Sequence, residues 1–386
     1  MSYARPQIGA YYFPNYHRSD RRNAAWHGDG WCEWELVRRA EPRFPGHLQP
    51  RVPLWGYEDE SDPSVMAKKI GAAADAGIDA FIFDWYWYED GPFLERALEG
   101  GFLRAPNAGR LKFSLMWANH DWVDIHPVTR NTPPRVLAPG CVSARAFRAA
   151  CDRMIDLYFP HPSYWRVKGG LYLSFYMIAG LVQGFGSVEA TRAALDELRH
   201  RVRGAGLGEL HLNAVVWGEQ ILPGEKKVDD VNGLLDALGF DSVGSYVWIH
   251  HRTLDRFPAT SYPDYRELCV KDFAAFTDTY RLPYFPNVTV GWDSSPRTVQ
   301  SDQFLPQGYP YTPILAHNEP AEFQKALAAA RAFFETGKTN PPVLTVNSWN
   351  EWTEGSYLEP DTRHGNGYLD ALREVFGPTA ASRIGS

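Results

Sequence analysis

Short apolar runs recur along the chain and alternate with stretches of helical period. The runs lie at residues 7–13 (QIGAYYF), 79–84 (DAFIFD), 112–118 (KFSLMWA), 171–176 (LYLSFY), 210–217 (LHLNAVVW), 240–246 (FDSVGSY), 284–291 (YFPNVTVG) and 343–349 (VLTVNSW). Each is short, mostly apolar and bounded by turn-forming residues, the pattern of a buried strand. Between them, apolar positions at three- and four-residue spacing predict helices over 63–77, 92–102, 143–158, 187–203, 229–237, 263–279, 319–336 and 367–375. The 63–77 helix carries its own punctuation: Asp62 as N-cap, Pro63 in the first turn and Gly77 as the stop. The 92–102 helix is expected to open on Pro92.

Strand and helix in strict alternation force a parallel sheet with right-handed crossovers. Eight such units close most naturally into an α/β (β/α)8 barrel, the TIM-barrel fold. An open doubly wound sheet would want a glycine-rich turn after its first strand, whereas Phe13 is followed by Pro14-Asn15-Tyr16-His17. Three strand-to-helix connections, at about 14–61, 119–142 and 292–318, are long, and all would rise from the C-terminal face. No internal repeat beyond the βα unit and no low-complexity tract interrupts the chain. Residues 1–386 therefore read as a single barrel domain with loop insertions.

Composition narrows the function classes. At 44% hydrophobic and 22% charged the 386-residue chain is globular rather than disordered. A net charge of −7, without a basic run, argues against a nucleic-acid partner or an anionic membrane surface. No apolar stretch is long enough to span a bilayer, and residues 1–17 lack the apolar run of a signal peptide, so a soluble, cytoplasmic protein is expected. Cys32, Cys141, Cys151 and Cys269 are widely spaced, with no CxxC, which fits a reducing compartment and gives no metal or disulfide framework. The sequence carries no signal for oligomeric state. Its 14 Trp, 20 Tyr and 21 Phe are an unusual share. Flat apolar rings with polar edges pack on sugar faces, and they also fill large cores.

In a barrel the strand C-termini face the site. Here they end in acids, amides and indoles: Asp84-Trp85-Tyr86-Trp87, Trp117-Ala118-Asn119-His120-Asp121-Trp122, Trp217-Gly218-Glu219, Tyr246-Val247-Trp248, Gly291-Trp292-Asp293 and Trp349-Asn350-Glu351-Trp352-Thr353-Glu354-Gly355. A ring of carboxylates and indoles suits a glycan, since carboxylates bond hydroxyls and move protons while indoles stack on the ring. Glu351 and Glu354 stand three apart where the last strand bends into its loop, and a carboxylate pair is the usual equipment for breaking a glycosidic bond. The same two acids could instead cap the turn and bond its backbone. Asp84, Asn119, His120 and Tyr12 are assigned to sugar hydroxyls, and Trp117 and Trp352 to stacking or shape. His17 and Asn350 are further contact candidates, and Glu219 is a reserve acid or base. Tyr11 and Tyr12 face opposite ways, so at most one of them enters the barrel mouth. In the long first loop, Glu33 could cover the cleft or pack the loop down. No HxH or HExxH pattern is present, so neither metal nor cofactor is expected.

The segments YYFPNYH, WHGDGWCEWELVRRA, RFPGHLQPRVPLWGY, FDWYWYEDGPFLERAL, LMWANHDW and NSWNEWTEGSYLEPD resemble the glycoside hydrolase family 99-like group. These are the WbsX-type proteins of bacterial polysaccharide gene clusters, often labelled glycosyltransferases, and the resemblance runs from about residue 7 to 361. The Glu-Trp-Xaa-Glu-Gly segment is also similar to that of the family 99 endo-α-mannosidases. That similarity implies that Glu351 takes the proton of a substrate 2-hydroxyl, giving a 1,2-anhydro sugar, and that Glu354 is the general acid and then the base. Thr353 stands where those mannosidases usually have His. The expected function is thus a retaining endo-type glycoside hydrolase acting on a bacterial oligo- or polysaccharide. Two alternatives stay open. One is a glycosyltransferase, for which no convincing phosphate-binding turn or DxD-like motif is found. The other is a non-catalytic glycan binder, in which the two Glu would be separated or taken up by Arg or Lys.

Overall fold

A computed structural model describes residues 5–377. Its centre is a parallel barrel of β1 (Gln7–Tyr12), β2 (Ala80–Tyr88), β3 (Lys112–Trp117), β4 (Gly170–Phe175), β5 (Leu210–Val215), β6 (Ser242–Gly244), β7 and β8 (Val343–Asn347). β7 is split into Tyr284–Phe285 and Asn287–Thr289, because Pro286 between them has no N–H for the ladder. Its first piece pairs with β6 (Val243 with Tyr284) and its second with β8 (Asn287 with Thr345), so the split strand closes the ring. Gly9 sits where β1 crowds the barrel interior: a Cβ there would lie 2.7 Å from Ile82 Cδ1.

The two-residue alternation of each strand sorts its side chains between barrel and helices. On β2, Ile82, Asp84 and Tyr86 share the inward face, while Phe81, Phe83 and Trp85 pack outward. Tyr11 points inward, its ring 4.7 Å from Tyr246. Tyr12 packs outward against Phe81 and Phe83.

The 63–77 helix forms as Pro63–Ala76, with Asp62 accepting the Ser64 N–H and Gly77 in the left-handed region at φ 95°. Three helix expectations are corrected, and one further helix appears ahead of the expected 187–203 helix. Residues 92–102 begin as a strand, Gly91–Phe93, that turns back on β2, followed by a π turn Ala97–Gly101 and a 3-10 turn Phe102–Arg104. The backbone is too close there for a regular helix with side chains: a Cβ on Gly101 would come 2.2 Å from the Glu60 carbonyl oxygen. The 143–158 helix runs Ala144–Arg153 and ends in a π turn Met154–Tyr158. A helix Ile178–Phe185 precedes Val188–Gly204, and Ser187 caps the latter. Residues 263–279 are two helices, Tyr262–Cys269 and Asp272–Thr279.

The first long loop carries helices Arg21–His27 and Trp34–Arg39, and the loop after β3 pairs Trp122–Val123 with Val136–Ala138. Among the described residues no helix is long and apolar enough to cross a membrane.

Candidate active site

After β8 the chain forms a tight hairpin, with Asn350 opposite Tyr357 and Glu351 opposite Ser356. Its tip is one 3-10 turn, Trp352–Glu354, preceded by Glu351, whose side chain does not cap it. Residues i and i+3 eclipse in a 3-10 turn. The hairpin therefore turns Glu351 and Glu354 to the same side, although a straight strand would oppose them. Both line one cavity with Asp84, Tyr86, His120, Asp121, His126, Tyr176, Tyr246, His250 and Arg297, and its apolar wall includes Phe13, Met116, Trp122, Ile125, Ile221, Leu222 and Trp292.

Arg297 joins the pair. Its Nη1 donates to Glu354 Oε1 at 2.5 Å, and its Nη2 lies 3.6 Å from Glu351 Oε1. Nη2 also reaches both oxygens of Glu33, each at 3.2 Å. His126 Nε2 sits 2.9 Å from Glu33 Oε1, and the Thr353 hydroxyl donates to Glu33 Oε2. Burial alone would raise the Glu33 carboxyl, but Arg297, His126 and Thr353 outweigh it and hold it at about 2. Glu33 is thus the fixed counter-ion of Arg297, and Glu354 faces a pair that is already neutral. Burial pushes the Glu354 carboxyl above the usual range against the pull of Arg297 and Tyr309. The Tyr309 hydroxyl donates to Glu354 Oε1 at 2.6 Å. Both donors thus converge on Oε1, and Oε2 has no hydrogen-bond partner among the described residues.

Tyr246 binds the second pair of acids. Its hydroxyl lies 2.9 Å from Asp84 Oδ2 and 2.7 Å from Glu351 Oε2. A phenol has one hydrogen, so both contacts are hydrogen bonds only if one of the two carboxyls carries a proton. Burial drives both carboxyls well above the ordinary range; the charge of Glu354 adds to this at Glu351, and Tyr246 opposes it at each. The Glu351 N–H donates to Ser348 Oγ at 2.9 Å, which fixes its backbone.

Beside Tyr246, the Tyr176 hydroxyl donates to Glu225 Oε1 at 2.5 Å and lies 3.2 Å from His250 Nε2. Glu225 Oε2 accepts the N–H groups of Ile221 (2.6 Å) and Leu222 (3.0 Å), which places that apolar stretch at the cavity. His120 Nδ1 lies 2.9 Å from the Asp121 carbonyl, so it carries the hydrogen and Nε2 is left as an acceptor.

Of the residues assigned a catalytic or contact role from the sequence, Asp84, His120, Glu351 and Glu354 meet at this cavity, as do the strand-end residues Tyr86, Asp121, Trp122, Tyr246 and Trp292. The other assigned residues do not line it. Asn119 clasps the β4 exit, accepting the Met177 N–H and donating to its carbonyl, both at 2.8 Å. Asn350 clasps Phe13 in the same way, at 2.8 and 2.7 Å. Trp117 is on the outward face and stacks on Phe147 at 5.5 Å. Trp352 is buried against Tyr357 at 3.7 Å. Tyr12 faces the helical layer, with Lys69 Nζ 5.9 Å from its ring centre. His17 is buried in the first loop beside Ser19. Glu219 is exposed at the surface. Arg297, Tyr309 and His126 carry no motif. One signal could have found Arg297: it is the only Lys or Arg in the 292–318 loop, which rises on the same face as the acids.

A family model described as "Glycosyltransferase WbsX" matches residues 8–372. Two curated proteins of Xanthomonas campestris pv. campestris, both called "Uncharacterized protein WxcX", are 29% identical over 389 residues, covering 97% of this chain and 50% of theirs. The chain thus spans about half the length of the curated relatives it matches. Among solved structures, a "Glycoside hydrolase-like protein" aligns at TM-score 0.62 and 17% identity, over 98% of this chain and 96% of its own. The GH99 endo-alpha-mannosidase from Bacteroides thetaiotaomicron aligns at TM-score 0.55 and 16% identity, over 96% of each chain. At these identities the structural likeness is one of fold.

Proposed function

Because the chain belongs to the Glycosyltransferase WbsX family, we propose that it is a glycan-active enzyme in which Glu351 and Glu354 work as a base and an acid on one glycosidic bond. The observation that carries this is the 3-10 turn that presents both acids to one cavity, with Glu354 Oε1 held by Arg297 and Tyr309 and Oε2 without a hydrogen-bond partner among the described residues. A carboxyl so held can keep its proton on the free oxygen. Glu351 differs: a proton on Asp84 lets Tyr246 donate its own hydrogen to Glu351, which then stands as a carboxylate.

The likeness to family 99 mannosidases supplies the sequence of steps. Glu351 takes the 2-hydroxyl proton, O2 attacks C1, and the bond to the leaving oxygen breaks as Glu354 protonates it. Water then gives a proton to Glu354 and attacks C1 of the 1,2-anhydro sugar, while O2 recovers its proton from Glu351. Configuration at C1 is retained through two inversions. A sugar hydroxyl in place of that water gives glycosyl transfer with the same two acids, which reconciles the family's name with hydrolytic equipment. The substrate class is an α-linked oligo- or polysaccharide.

A panel of α-linked mannose and rhamnose oligosaccharides, assayed for release of reducing ends or for transfer products, tests this. Glu351→Gln and Glu354→Gln should each lower turnover about 100- to 10,000-fold. Full activity in both variants contradicts the assignment. One observation favours a second reading, a non-catalytic glycan binder: Glu354 is in contact with an arginine. That reading expects sugar binding by calorimetry in wild type and in the Gln variants alike, with no turnover in any of them.

A further inference from the structure

A second buried charge cluster lies behind the hairpin, away from the cavity. Lys69, in the helix Pro63–Ala76, is buried, and its Nζ lies 2.5 Å from Glu60 Oε1 and 2.5 Å from Glu359 Oε1. Glu60 comes from the end of the first long loop and Glu359 from the chain after the hairpin. Each carboxylate has a second partner. Glu60 Oε1 accepts from Asn350 Nδ2 at 2.8 Å, and Glu359 Oε2 accepts from Trp352 Nε1 at 2.8 Å. Asn350 and Trp352 are the residues on either side of Glu351. A single ammonium group thus gathers the two carboxylates that hold both neighbours of a cavity-lining acid. The same residues are fixed again by Phe13, which Asn350 clasps, and by the Tyr16 hydroxyl, which takes the Trp352 N–H at 3.0 Å.

Stability alone is a poor reason for this arrangement. Three ionisable groups taken out of water lose much of their hydration, and apolar replacements of similar volume are often neutral or stabilising. Burial in a network does supply direction, because in a low-dielectric interior the partners of each charged group fix its geometry. We propose that Lys69, Glu60 and Glu359 form a positioning unit that fixes the peptides flanking Glu351 and so holds its carboxylate against Tyr246 and toward the cavity. This rests on the reading of Glu351 as a reacting group.

The test replaces the unit with apolar residues, Lys69→Met/Glu60→Leu/Glu359→Leu, in the full chain. Thermal unfolding and a crystal structure are read first, since neither depends on turnover. The expected result is a cooperatively folded barrel in which Glu351 has left Tyr246. Should that variant not fold, Trp352→Phe cuts only the Glu359 arm and is expected to show the same displacement. Glu351 still bonded to Tyr246 in whichever variant folds overturns the proposal. Failure of both to fold overturns it too, by making the cluster a stability element. On an α-linked mannose oligosaccharide turned over by the wild type, kcat should fall about 100-fold with KM unchanged. Equal loss in KM contradicts a positioning role. Full activity of Glu351→Gln would instead defeat the functional reading, while the displacement seen in the crystal would still stand.

Discussion

At the scale of residues, the site is defined by how few positive charges serve its carboxylates. Glu33 claims Arg297, so the remaining acids must share protons. The contacts of Tyr246 locate one of these on the Asp84–Glu351 side. The Asp84 charge is one of the causes raising Glu351. Asp84 carries that charge only while the shared proton sits on Glu351; Asp84→Asn removes this state and keeps a donor to the Tyr246 oxygen, so Tyr246 can still donate to Glu351. If Glu351 acts as the base, activity rises with pH as Glu351 loses its proton, so a lower Glu351 pKa moves the acidic limb of the pH–rate profile to lower pH. The alkaline limb, set by the proton on Glu354, should stay in place. An acidic limb that does not move, measured as kcat/KM against pH, would separate Asp84 from Glu351. The sequence made the acids legible because they end strands. It says less about their cation: Arg297 is marked only as the single Lys or Arg of its loop, and nothing in its neighbours says where that loop folds. Tyr12 and Trp117 were misplaced for a simpler reason. Side chains alternate between barrel and helices, and a shift of one position decides which face a residue takes. Tyr11 and Met116 hold the inward positions that were assigned to their neighbours.

At the scale of elements, periodicity and capping located the strands and the best-marked helices. The Pro63–Ala76 helix was readable at both ends, because Asp62, Pro63 and Gly77 act through local backbone chemistry. The 92–102 segment was not readable, because its course is set by the close approach of Glu60, which is distant in sequence. The polar strand ends divide for a similar reason. Some face the cavity and others tie one βα loop to the next, and the sequence looks the same in both cases. Asn119 is a tie: both Met177 backbone groups depend on it. Asn119→Ala leaves two buried backbone groups without partners, at about 1–3 kcal/mol each. The expected outcome is a lower unfolding midpoint in urea or on heating, with KM for glycan unchanged in the folded fraction. A variant of native stability with a raised KM would return Asn119 to the substrate.

At the scale of the whole molecule, eight strand–helix units were enough to give the barrel, since parallel strands with right-handed crossovers leave few ways to close. The aromatic wealth of the chain is mostly core. Trp34, Trp117, Trp165, Trp292, Trp349 and Trp352 are among its largest fully buried side chains, and of the tryptophans only Trp122 and Trp292 line the cavity. Aromatic content therefore says little about stacking platforms, and the proposed function rests on the acids at the C-terminal face. The most direct test is a crystal structure of Glu351→Gln/Glu354→Gln soaked with an α-linked mannose or rhamnose oligosaccharide. The expected result is a glycosidic oxygen about 2.6–3.2 Å from the side chain at position 354, with the adjacent 2-hydroxyl beside position 351. A sugar bound with its glycosidic oxygen out of reach of both side chains, or bound only outside this cavity, would contradict the assignment.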